Sequence, residues 1–70
     1  MLIKQHNFND ALADFRYVMK FAPGNAEALY GYGAAKNALG NTKEACETWK
    51  KAAALGSEQA RIEITLHCRD

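Results

Sequence analysis

Two histidines and two cysteines are the residues of this 70-residue chain best suited to chemistry: His6, His67, Cys46 and Cys68. Thiolates and imidazoles together are the donor set of a zinc site, where ligands normally come in short paired spacings. The spacing here is wrong for that. His67 and Cys68 are adjacent and so point to different faces of a helix, and no two of the four stand three or four residues apart, the separation that aligns side chains on one helix face. A nucleophilic cysteine needs a base beside it and a third group to orient that base, and nothing in the sequence sets one next to Cys46 or Cys68. The acidic residues are spread along the chain as solvated helix faces require. The chain is expected to be no enzyme and to take neither metal nor cofactor.

The cysteines are too few to staple a mini-protein, so a reducing compartment is the default and two reduced, partly buried thiols are expected. Their placement is nonetheless suggestive. Two antiparallel helices joined at Gly56-Ser57 set residue 46 level with about residue 67, which brings Cys46 and Cys68 near each other. A bond needs more than proximity: Cα atoms within roughly 7 Å and converging Cβ vectors.

The elements that must carry these residues are helices. Apolar residues recur at helical rather than alternating spacing, and breaks fall at His6-Asn7, Ala22-Pro23-Gly24-Asn25, Gly40-Asn41 and Gly56-Ser57. The segments between run about 8–22, 26–39, 42–55 and 58–68, with a truncated helix expected at residues 1–5. Asn41 three residues before Glu44, and Asn7 three before Asp10, are spaced as capping boxes. Pro23 ends one segment, Gly24 permits the turn and Asn25 caps the next helix.

The composition suits a folded domain. Apolar residues make up 49%, charged residues 24%, and proline occurs once, which excludes a disordered tail. A net charge of +1 gives no reason to invoke nucleic acid. No stretch approaches the eighteen or so apolar residues of a membrane span, and no basic segment followed by an apolar one opens the chain, so no membrane partner and a cytoplasmic location are expected. A chain this short buries only about 60% of the surface its unfolded form exposes, so the core must be thin.

Asn7 and Asn41 stand 34 residues apart, and at that offset the chain resembles itself. Ala11 falls on Ala45, Asp10 on Glu44, Phe15 on Trp49, Val18 on Ala52, Phe21 on Leu55 and Ala26 on Ala60. Small residues meet small, aromatic meets aromatic, and break meets break. A 34-residue period with two helices per unit belongs to one kind of solenoid.

At these positions the sequence resembles the tetratricopeptide repeat family. Leu29, Tyr32 and Gly33 match the large, large, glycine pattern of its first helix, and Ala45, Trp49 and Ala52 the small, aromatic, small pattern of its second. Phe8, Ala11, Phe15, Val18 and Pro23 match the second-helix half of a preceding unit, while Ser57 replaces the closing proline and Lys36 an aromatic. A related repeat ending in two alanines, one residue and a glycine is hinted at by Ala53, Ala54 and Gly56, but its period is nearer 36. The resemblance implies an all-α fold of antiparallel helix–turn–helix repeats, a fragment of an α–α superhelix. It divides the chain into a partial repeat over 1–25, a complete repeat over 26–59 and a capping helix over 60–70.

Trp49, Phe15 and Gly33 are expected to be buried, with Phe8, Leu12, Phe21, Leu39 and Leu55 in the same core. In the family's fold the first helices line a concave groove that holds another protein or peptide. This implies Glu27, Tyr30, Ala34 and Asn37 as contacts, joined on the last segment by Arg61, Ile64 and Cys68. The family's clamp for C-terminal carboxylates is not expected, because Gly31 and Thr65 stand where it needs asparagine and arginine. Self-association as a homodimer is the alternative: Leu2 and Ile3 have little helix to anchor them, and one of Ile62, Ile64 and Leu66 must be left over.

Overall fold

The computed structural model describes residues 8–68, which form four helices: α1 (Phe8–Phe21), α2 (Ala26–Ala38), α3 (Thr42–Ala54) and α4 (Glu58–His67). The expected helix at 1–5, the Asn7 cap, His6, Leu2 and Ile3 lie outside the described residues. Each helix packs on its neighbour in sequence, most extensively α2 on α3, in an antiparallel series. There is no strand among the described residues.

The three connections use two kinds of chemistry. After α1, Pro23 cannot continue the helix; Ala22 N–H still reaches the Val18 carbonyl, and Asn25 N–H closes the turn on that of Ala22 at 2.9 Å. The left-handed glycines are Gly40 (φ 94°) and Gly56 (φ 104°), whereas the turn at Gly24 needs no positive φ. Gly40 and Gly56 build the same helix stop twice. Asn41 N–H donates to Lys36 O at 2.9 Å and Ser57 N–H to Ala52 O at 3.0 Å, in each case satisfying a carbonyl of the last helical turn.

Two side-chain caps form, the one at Asn25 as expected. The Asn25 side chain accepts from Ala28 N–H, and the Ser57 hydroxyl from Ala60 N–H, each at 3.1 Å. The capping box expected at Asn41 is corrected: its side chain makes no capping bond. Glu44 turns instead to Lys36 on α2, with Nζ 2.8 Å from Oε1. A full charge across the turn outcompetes a neutral backbone N–H for that carboxylate.

The core is narrow and made largely of alanine. Leu29, Ala45, Trp49, Ala52 and Ala60 form one buried cluster, against which Met19, Tyr30, Ala53, Ile64 and Cys68 pack. Trp49, only 1% exposed, is the large side chain that this core encloses. The Gly33 backbone passes directly over its indole, as a glycine allows: a Cβ there would lie 2.6 Å from Nε1.

Several expected core residues are corrected. Phe15 and Phe8 are half-buried, and Phe21, Leu39 and Leu55 are exposed. Leu39 and Leu55 are the C-cap residues of α2 and α3, where the chain turns away from the core. Phe21 ends α1 and rests edge-on against Tyr17, with ring centroids 4.9 Å apart. On α4 two apolar side chains are left over rather than one: Ile64 packs inward, while Ile62 and Leu66, one turn apart, face solvent.

Candidate partner-binding groove

The α2 face named from the sequence is built around Tyr30. Its main-chain carbonyl accepts the Trp49 indole N–H at 3.2 Å, which satisfies the one polar atom of the buried tryptophan. Its hydroxyl donates to Glu63 Oε2 on α4 at 3.5 Å. Glu63 Oε1 in turn lies 3.3 Å from His67 Nε2, and the His67 ring sits 5.7 Å from that of Trp49. These contacts form a closed circuit, Trp49 to Tyr30 to Glu63 to His67 and back, that ties α2, α3 and α4 together.

Beside Tyr30 the surface is concave. A recess of about 400 Å³ opens between α1 and α2, walled by Phe15, Val18, Glu27, Ala28, Tyr30 and Gly31. Gly31 shapes it, since a Cβ there would overlap the Phe15 ring. The walls are mostly apolar, with Glu27 and the Tyr30 ring at the edge. That mixture can seat a side chain and still bond to a peptide backbone.

The named residues do not all meet at this recess. Glu27 and Tyr30 share its wall, and Ala34 is exposed further along α2. Asn37, in the last turn of α2, is half-buried against the start of α3, where its Oδ1 accepts from the Thr42 hydroxyl at 2.9 Å; its amide nitrogen takes no part in that bond. Arg61 is exposed on a second, smaller depression of about 250 Å³ formed with Glu58, Ile62 and Thr65. Ile64 is half-buried against the core.

Sequence reasoning missed Glu63, Phe15, Val18 and Gly31 as parts of this surface. One signal for Glu63 was present: at the 34-residue offset it falls on Leu29, which is buried, so a carboxylate there needs a partner. Lys36, where the family has an aromatic, lies 5.8 Å from the Tyr32 ring centroid as well as on Glu44. The hydrogen bond that its ammonium donates to the Glu44 carboxylate holds the Lys36 pKa above the ordinary lysine value.

The expectation of free thiols is overturned. Cys46 and Cys68 are joined by a disulfide with Cα atoms 5.8 Å apart. The turn at Gly56 sets the end of α4 beside α3, within bridging range. The expectation failed because it rested on an assumed compartment and not on this geometry.

Stacked antiparallel helix pairs with small residues at the crossings and an aromatic between them define a helical-repeat scaffold. The family model for the tetratricopeptide repeat matches residues 2–63, and the chain belongs to that family. Such repeats in general are non-catalytic and mediate protein–protein interaction. No curated protein and no solved structure matches the chain significantly. No described helix is long and apolar enough to cross a membrane.

Proposed function

We propose that this chain is a protein-interaction scaffold that holds a peptide or a segment of a partner protein along α2, and that it performs no catalysis. The observation that carries this reading is the open, largely apolar recess whose walls include Tyr30 and Glu27, with exposed Ala34 continuing the same helix face. A side chain of the partner enters beside Phe15 and Gly31, and Asn37 and Arg61 offer polar contacts to the segments on either side. The test is a peptide-display selection on the intact chain, followed by affinities of the selected peptides for Tyr30→Ala and Asn37→Ala. Weaker binding by either variant at unchanged melting temperature supports the groove; equal affinity for both variants and wild type sinks it.

A second reading is self-association as a homodimer. It is favoured by apolar side chains exposed at both ends of the helix series, Tyr17 and Phe21 on α1 and Ile62 and Leu66 on α4. Each is worth roughly 1.5–3 kcal/mol if fully buried, enough to offset part of the association cost. Sedimentation across the micromolar range decides it, a species of about 8 kDa throughout counting against association. The cytoplasmic location expected from composition remains part of the proposal, and it would set the Cys46–Cys68 bond in a reducing medium.

A further inference from the structure

We propose that the Cys46–Cys68 disulfide is a reversible redox latch that holds the C-terminal half of α4 in place, opening on reduction while the α1–α3 body stays folded. Beyond the latch itself, its consequence for binding rests on the groove reading above.

Helix α4 is ten residues long. Helices shorter than about 12–15 residues are marginal in water, so its order must come from docking. Its one fully buried residue is Ala60, in its first turn beside the Gly56 stop. Further along, Ile64 is half-buried, and Ile62 and Leu66 face solvent, so little apolar burial holds the far end. There Cys68, the C-cap residue, is bonded to Cys46 on α3. The residue before it, His67, carries the contacts to Glu63 and Trp49. The covalent bond thus sits where packing is weakest.

The body does not depend on that bond in the same way. The most extensive helix contact is α2 on α3, with Gly33 against Trp49 and the indole N–H on the Tyr30 carbonyl. Cys46 and Cys68 are both half-buried rather than enclosed, so an external thiolate can reach the sulfurs. The chemistry is thiol–disulfide exchange. One thiolate of a dithiol attacks a cysteine sulfur, forming a mixed disulfide and releasing the other cysteine as thiolate. The second thiol of the reductant then displaces the remaining cysteine. Two electrons pass to the protein, two protons complete the cysteine thiols, and the reductant leaves as its own disulfide.

Opening carries Glu63 away from the Tyr30 hydroxyl and so releases the tie on a side chain that walls the recess. The oxidised chain presents the α1–α2 recess with Tyr30 tied to α4, and the reduced chain presents the same recess with that tie released.

Hydrogen exchange on the intact chain, air-oxidised and then treated with dithiothreitol, tests this without a partner. Amides of residues 64–68 should exchange at least about ten-fold faster after reduction, while those of α2 and α3 stay within about two-fold. Reoxidation should restore protection, and the double variant Cys46→Ser, Cys68→Ser should behave as the reduced form does. Equal protection of α4 in both states overturns the latch. So does joint loss of protection in α2 and α3, which would make the bond a staple for the whole fold, or two titratable thiols in the air-oxidised protein. If Tyr30→Ala leaves peptide affinity unchanged while α4 still opens on reduction, the groove reading fails and the latch stands.

Discussion

The Gly33 backbone and the Trp49 indole are in such close register that a Cβ at residue 33 would meet Cδ1 at 2.7 Å as well as Nε1. Gly33→Ala should therefore destabilise the chain by about 1–3 kcal/mol, because overpacking outweighs the roughly 0.5–1 kcal/mol that alanine gains over glycine in a helix. Gly31→Ala should cost less, since the Phe15 ring it meets is half-buried beside an open recess and can swing aside. Chemical denaturation of the two variants checks the order.

Removing the indole should cost more than crowding it. Trp49→Ala empties the centre of an alanine-rich core and should lose about 3–5 kcal/mol, a large part of what so small a domain holds. Trp49→Phe keeps much of the volume but leaves the Tyr30 carbonyl without its indole donor, so an intermediate loss is expected. Thermal melts of both variants followed by circular dichroism, which does not need the single tryptophan that both lack, measure the difference.

Much of this core was legible in the sequence and some was not, for identifiable reasons. The 34-residue register placed Trp49 and the small residues Ala45 and Ala52 of the same helix correctly because burial at a helix crossing demands small residues and one large filler. The same periodicity misplaced Phe21, Leu39 and Leu55, since an apolar pattern reports which face is greasy but not whether another helix lies over it. Asn41 and Glu44 had the spacing of a cap, yet Lys36 from the previous helix captured the carboxylate, a tertiary choice that local spacing does not encode. At the recess, Tyr30 and Glu27 were named in advance from the groove face that the family resemblance implies for α2. Phe15 and Val18 were not, because they arrive from α1 across a turn whose angle the sequence leaves open.

Groove variants should separate from core variants. Tyr30→Ala removes a recess wall and the hydroxyl contact to Glu63, so partner affinity should fall about ten-fold or more while the melting temperature changes little beside that of Trp49→Ala. Glu27→Gln, which keeps the shape and removes the charge, should change affinity only for peptides carrying a basic residue near that position. Titration calorimetry with selected peptides reads both.

The Lys36–Glu44 pair predicts a pH effect with a definite sign. Lys36 is held above its ordinary value in the fold, chiefly by the Glu44 hydrogen bond, so its contribution is present below the unfolded lysine value and is lost as pH rises through the higher folded one. The stability difference between wild type and Lys36→Met should therefore be constant near neutrality and shrink as pH rises past the unfolded lysine value and through the higher folded one. Added salt should narrow it too, because Glu44 is exposed. Melting curves over that range provide the check.

The bond between Cys46 and Cys68 also closes part of the polypeptide into a ring that contains the exposed Gly56 turn. A protease cutting the main chain there severs the connectivity between α3 and α4 without releasing a fragment. The two pieces remain one molecule, heavier by a single water, until a reductant opens the ring and lets the C-terminal piece diffuse away.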